Sequence, residues 1–403
     1  NYNSGLFDDH PCMNWEVASE DFAEIINGLY RSKNGQEYDF SIIDADVLGS
    51  VYEQYLGHLL QKSDDGDISK KKRKSQGIYY TPTFIVDYIV QNTLGNVLQK
   101  KSSAEIANLK ILDPACGSGS FLIKAFDYLI NYETQRKNSK KFDLKTKFGR
   151  IEKAFRSRDG LEELSANQKI NILRNNIYGV DLDEQAVEIA QLNLMLKTLE
   201  RKQELPHLLN IKCGNSLIDD PKIAGEKAFN WSEQFPEIMN SGGFDIIVGN
   251  PPYIGSLELS NPGGEKIKDF FKDTYNSAIG NFDIYVLFLE KALELIKQNG
   301  LISFIIPNKF LVNDYGKEIR EILLKHQIVE ILNVSNLNVF GDAAVYPIII
   351  TIKKQPHNEK HKTKIGFAQN DYSHIKYDSI EQSTWLNNDK KIIHKDNLKK
   401  NPT

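Results

Sequence analysis

The tetrapeptide Asn250-Pro251-Pro252-Tyr253 holds the residue types best suited to chemistry on an amine. Consecutive prolines fix the backbone and remove two N–H donors, so the Asn250 amide and the Pro251 carbonyl can both face outward as acceptors. Two acceptors converging on one point suit an exocyclic amine, and Tyr253 offers a flat face to the ring that bears it. As a plain turn the tetrapeptide would mean little, and its weight comes from three segments upstream. Asp113-Pro114-Ala115-Cys116-Gly117-Ser118-Gly119-Ser120-Phe121 is a glycine turn entering a helical pattern. Such a turn lets a ligand approach the backbone and the free amides of a helix start. The dinucleotide fingerprint would require a third glycine where Leu122 stands, which disfavours a nicotinamide cofactor. Asp113 can accept from a cationic headgroup or hold the loop through backbone amides. In Gly179-Val180-Asp181-Leu182-Asp183, Asp181 lies where a ribose presents its hydroxyls, and Asp183 reads as the cap of the helix that follows. Asn215, in Gly214-Asn215-Ser216-Leu217, can read an adenine edge or simply shape a turn.

These segments end apolar runs that read as strands: Ile111-Leu112-Asp113, 177–181, 211–214, 244–249 and 301–306. Amphipathic stretches such as 184–199 and 282–297 lie between them. The alternation implies a doubly wound α/β sheet covered on both faces, with ligands at the carboxyl ends of the strands. Runs 328–334 and 345–352 are separated by only about ten residues, too few for a parallel crossover, so they are expected to form an antiparallel hairpin. The full expectation is seven strands, mostly parallel, behind a small helical amino-terminal segment. A helical stripe from Ile42 to Leu59 belongs to that segment, and Lys70-Lys71-Lys72-Arg73-Lys74 reads as a solvated linker or a phosphate contact. Polar insertions fall at 131–169 and 255–281. The expected domains are 1–76 (helical segment and linker), 77–356 (α/β domain) and 357–403 (basic tail).

Composition narrows the classes. With 26% charged and 40% hydrophobic residues the chain can bury a sizeable core. Its apolar runs stop short of the roughly 18 residues of a membrane span, and no signal pattern opens it. An intracellular protein is expected. Cys12, Cys116 and Cys213 are too scattered for a disulfide framework or a zinc site, so no metal is expected. A net charge of −4 argues against wholesale coating of nucleic acid. The chain opens on Asn1, which suggests a piece of a longer protein.

Taken in order, Tyr80-Thr81-Pro82, the Asp113–Gly119 turn, Asp181 and Asn250-Pro251-Pro252-Tyr253 resemble the gamma class of S-adenosylmethionine-dependent DNA adenine-N6 methyltransferases. The resemblance runs from about Gly77 to Lys354 and is closest to the modification part of type IIG restriction-modification proteins. It implies a Rossmann-like methyltransferase fold, a prokaryotic cytoplasmic setting and double-stranded DNA with a flipped adenine as partner. It implies cofactor contacts for Tyr80, Thr81, Asp113, Ala115, Gly117, Asp181 and Asn215, and a catalytic role for Asn250, Pro251, Pro252 and Tyr253. Phe340 matches the aromatic that stacks on the flipped base opposite Tyr253; the bland alternative is a core residue anchoring the hairpin. A nuclease and a recognition domain are expected elsewhere in such a protein; only Asp143-Leu144-Lys145 faintly resembles a nuclease motif here. The same tetrapeptide serves protein-glutamine and ribosomal-RNA methyltransferases, so those substrates stay as alternatives. A non-enzymatic DNA-binding subunit would require a damaged motif, and none is visible.

Overall fold

Short runs of Ile, Leu, Val and Phe that end in small or polar residues build the centre of one mixed sheet. The computed structural model describes residues 18–31, 81–99, 101–138, 163–198, 207–259, 264–337, 339–340, 345–368, 375–386 and 391–393. Helix α1 is Ser19–Tyr30 and α2 is Thr83–Val90. Strand β1 (Ile111–Asp113) leads into α3 (Ser120–Asn138), and α4 (Ala166–Asn176) leads into β2 (Ile177–Asp181). Then come α5 (Glu184–Leu196), β3 (Ile211–Cys213), β4 (Phe244–Gly249), α6 (Gly264–Thr274), α7 (Ile284–Leu295) and β5 (Ile296–Pro307). Helix α8 (Lys317–Leu324) precedes β6 (His326–Asn333), β7 (Pro347–Pro356), β8 (Lys362–Phe367) and β9 (Lys376–Glu381). The stripe 42–59, the basic run 70–74, Tyr80 and Asp143-Leu144-Lys145 lie outside the described residues.

The strand order is β3-β2-β1-β4-β5-β7-β6-β8-β9. Strands β3, β2, β1, β4 and β5 are mutually parallel, and β7 enters antiparallel between β5 and β6. The expected antiparallel pairing of the last two apolar runs therefore holds. The strand count does not: the sheet has nine strands, not seven, because residues from the expected basic tail form β8 and β9. Strand β8 runs parallel to β6, and β9 closes the edge antiparallel to β8. Strand β9 is largely exposed and carries Lys376, Asp378 and Glu381, so it has no apolar run to announce it. Charge on an edge strand blocks pairing with a further chain.

Alternate residues along the strands feed two cores. Leu112, Ile247, Phe304 and Ile306 join one cluster, whereas Ile111, Ile246, Val248 and Ile305 join the other, as the two-residue period of a strand requires. Helices α2, α3 and α5 cover the second face through residues such as Ile89, Phe126 and Ala190. Helices α7 and α8 cover the first through residues such as Tyr285 and Leu323. Two buried polar groups on neighbouring strands satisfy each other: Ser303 Oγ lies 2.9 Å from Thr351 Oγ1 across β5 and β7. Arg320, fully buried, donates through Nη1 to the carbonyls of Phe310 and Asn313, at 2.6 and 2.7 Å. That pins the segment leaving β5, whose carboxyl end lies beside Asn250-Pro251-Pro252-Tyr253, where Tyr253 donates to the Ile305 carbonyl. Among the described residues no helix is long and apolar enough to cross a membrane.

Candidate active site at the carboxyl edge of the sheet

Strand β1 is central, flanked in register by β2 and β4, so the ends of all three meet at one edge. This brings Asp113, Asp181 and Asn250 to adjacent positions although up to 137 residues separate them in sequence. The turn after β1 is held from both sides. Asp113 Oδ1 accepts the Ala115 amide at 3.0 Å, and Asp181 Oδ2 accepts the Gly117 amide at 2.7 Å. The Cys116 amide donates to the Val180 carbonyl at 3.1 Å. Gly119 has φ 91°, and a Cβ there would lie 3.0 Å from the Ala190 Cβ, so both the backbone conformation and the packing of α3 on α5 require glycine. The buried Cys116 packs beneath Gly179, where an added Cβ would lie 3.0 Å from its Sγ. It is a space filler, and burial raises its thiol well above the usual range, away from nucleophilic use.

The two carboxylates are set differently. Asp113 is fully buried, and its Oδ2 has no hydrogen-bond partner. Burial pushes its pKa up to about 8, with the Ala115 amide pulling it down and the neighbouring Asp181 carboxylate pushing it up. Asp181 is half-buried; burial raises its pKa, and the amides of Asp183 and Gly117 oppose that rise. Its Oδ1 accepts the Asp183 amide at 2.9 Å. Asp183 itself caps α5 by accepting the Gln185 amide at 3.1 Å, the capping role expected of it.

After β3, Asn215 Oδ1 accepts the Leu217 amide at 3.1 Å, which makes it a turn residue; its second lone pair remains suited to an amine donor. The part of the next residue depends on a partner about a hundred positions away, which no local pattern marks. Ser216, buried, donates from Oγ to the Pro114 carbonyl at 2.6 Å and ties the β3 turn to the glycine turn. Gly249, the last residue of β4, allows a similar close approach. A Cβ there would lie 2.6 Å from Asp113 Oδ1, so the end of β4 can lie against the buried carboxylate only with glycine at this position.

Asn250-Pro251-Pro252-Tyr253 leaves β4 at this point. Asn250 Nδ2 donates to Thr81 Oγ1 at 2.9 Å, which leaves Oδ1 as the acceptor end of the amide. Tyr253 donates from its hydroxyl to the Ile305 carbonyl at 3.0 Å, fixing its ring against β5. The ring meets Tyr285 edge-on at 6.1 Å and Phe340 edge-on at 5.7 Å with the planes 80° apart. Sequence-expected stacking partners are thus brought together, but in contact with each other. A base can be sandwiched only if the two rings part. Phe340 is half-buried and packs on the second core cluster.

The residues fit a cationic nucleoside cofactor better than a phosphate-bearing one. Asp181 borders the glycine turn, where a carboxylate would repel phosphate and can accept from a diol, and a cationic headgroup beside buried Asp113 would favour the ionised form of that residue. Buried Asp113 Oδ2, lacking a partner, offers the same preference for a donor.

Residues 175–340 match the family model described as Eco57I restriction-modification methylase, and residues 90–211 match an RMKL-like methyltransferase domain. The chain is 33% identical over 380 residues to the type II restriction enzyme and methyltransferase RM.Eco57I of Escherichia coli, covering 89% of this chain and 36% of that protein. It is 26% identical over 298 residues to the type II methyltransferase M.BstVI of Geobacillus stearothermophilus, covering 72% of this chain and 44% of that one. Among solved structures it superposes on the type IIL restriction-modification enzyme MmeI in complex with DNA, with a TM-score of 0.57 and 18% identity. That superposition covers 86% of this chain and 44% of MmeI, and shows the fold. The chain therefore spans less than half the length of each of these proteins.

Proposed function

The chain is a relative of the Eco57I-type restriction-modification methylases, and from that premise we propose that it transfers a methyl group from S-adenosylmethionine to N6 of adenine in DNA. The observation that supports this most is the placement of Asn250-Pro251-Pro252-Tyr253 beside the acid-bordered glycine turn, with an aromatic partner within contact distance of Tyr253. S-adenosylmethionine suits that turn, with Asp181 placed for the ribose, Asn215 for the adenine amine and Asp113 for the cationic end. When bound, it supplies an activated methyl carbon on a sulfonium.

The chain's own residues then prepare the nucleophile. An adenine inside a duplex cannot reach this edge, so it must leave the stack at a cost of a few kcal/mol. Stacking on Tyr253 and Phe340 offsets about 1–3 kcal/mol per contact. Asn250 Oδ1 and the Pro251 carbonyl accept hydrogen bonds from the amine's two N–H groups. This draws the nitrogen lone pair out of conjugation with the ring and aims it at the electrophile. The proton that the nitrogen sheds after methylation passes to water. Catalysis is then mainly orientation, with acceptors fixed in advance by Thr81 and by the two prolines. In the full-length protein the parts not spanned by this chain would supply base readout and any nuclease.

Aromatic capture can be watched with 2-aminopurine at the target position. Tyr253→Ala and Phe340→Ala are each expected to reduce the fluorescence gain that accompanies flipping. An unchanged gain in Phe340→Ala would assign that ring to the core alone. The function itself is tested by incubating the full-length protein with methyl-labelled S-adenosylmethionine and unmethylated DNA, RNA or protein. Label should appear in DNA adenine; label confined to RNA or protein would overturn the reading.

A further inference from the structure

We propose that Thr81 is a positioning residue for Asn250: its hydroxyl holds the catalytic amide in the orientation that presents an acceptor to the substrate. The inference deepens the proposed function and rests on it. Asn250 Nδ2 donates to Thr81 Oγ1 at 2.9 Å, a contact between residues 169 apart in sequence. Thr81 is 7% exposed, so water does not readily replace it as a partner. An asparagine amide has a donor end and an acceptor end that differ by a half-turn of the side chain. With the donor end on Thr81, the carbonyl oxygen is left for an incoming amine. Reversed, an N–H would face the amine's own N–H groups, and the contact would be repulsive.

The anchor is external to the catalytic loop and well held. Pro82 follows Thr81 directly, and its carbonyl accepts the Ile85 amide at 2.9 Å in the first turn of α2. Helix α2 buries Ile85, Val86, Ile89 and Val90. Its Tyr88 hydroxyl donates to Glu330 Oε2 on β6 at 2.9 Å. Thr81 is thereby fixed to the body of the sheet, and it transmits that fixity to the first side chain beyond β4. A group held in advance loses less freedom when the reaction begins.

This role differs measurably from the cofactor contact that the family resemblance implies for Thr81. A contact to cofactor would make Thr81→Val weaken S-adenosylmethionine binding, with the rate recovered at saturation. A positioning role makes Thr81→Val lower the rate at saturating cofactor and DNA by about tenfold or more, as for loss of one orienting hydrogen bond. Cofactor affinity should then stay within about twofold, which also shows that the variant is folded. Thr81→Ser, which keeps the hydroxyl, should retain most of the rate.

The experiment is single-turnover methylation of adenine-containing duplex by the full-length protein, with cofactor affinity measured calorimetrically for wild type, Thr81→Val and Thr81→Ser. A slow Thr81→Val with normal cofactor affinity and an active Thr81→Ser supports the inference. An active wild type with Thr81→Val at full rate, or with only its cofactor affinity reduced, overturns it alone. A wild type that methylates no adenine in DNA overturns the proposed function, and the inference with it.

Discussion

Asn250→Ala is expected to lower methyl transfer by about two orders of magnitude or more at saturating cofactor, the scale for losing one preorganised contact that matters most in the transition state. The amide oxygen is needed when the adenine amine pyramidalises and its N–H groups become more acidic. The ground state loses much less, so DNA and cofactor affinities should barely move. The structure adds a condition. Removing the Asn250 side chain also leaves Thr81 Oγ1 in a buried place without the donor it now accepts from, which costs some stability. A melting measurement beside the rate separates the two effects. Near-normal turnover in Asn250→Ala would remove this residue from the mechanism.

The second large effect is expected in cofactor binding. Asp181→Ala should weaken S-adenosylmethionine by roughly 1–3 kcal/mol through loss of charge-assisted hydrogen bonds. Asp181 has two duties here. It stands where the ribose hydroxyls are expected, and it already accepts amides from Gly117 and Asp183. Removing it would strip the glycine turn of a brace as well as a ligand contact. Asp181→Asn separates these duties in part, since an amide keeps one acceptor and loses the charge; its affinity should fall between wild type and Asp181→Ala. Calorimetry with the cofactor alone decides it. Equal affinity in Asp181→Ala would place the ribose elsewhere.

The parts of this fold that were legible in the sequence share one physical property: they are buried on both faces. The buried runs of β1, β2, β4 and β5 are mostly apolar, and Asp113, Asp181 and Asn250 stand at the carboxyl ends of the first three, where polar residues break the runs plainly. Strand β9 escaped notice because an edge strand needs no continuous apolar run, and β8, although paired on both sides, alternates Lys362 and Lys364 with Thr363 and Ile365, so both stretches read as a solvated tail. Helix α7 is buried over ten of its twelve residues, so it shows little amphipathic period; the expected stretch 282–297 ran across the point, Ile296, where β5 begins.

At the site, motif positions were legible and contacts were not. The pairing of Thr81 with Asn250, the tie from Ser216 to Pro114 and the fit of Gly249 against Asp113 join segments far apart in the chain, where no local period can record them. Asp183 was the exception, because a cap is a local device set by its own helix. The relation between Tyr253 and Phe340 was only half legible. Their types and places predicted proximity, and the edge-on contact at 5.7 Å adds that the rings must part if a base is to stack between them.

The central claim is most directly tested by sequencing the genomic DNA of a host that expresses the full-length protein and mapping N6-methyladenine. N6-methyladenine is expected at nearly every occurrence of one short sequence, and should disappear when Asn250→Ala replaces the wild type. DNA free of N6-methyladenine in the presence of folded, cofactor-binding protein would show that the chain does not methylate adenine in DNA.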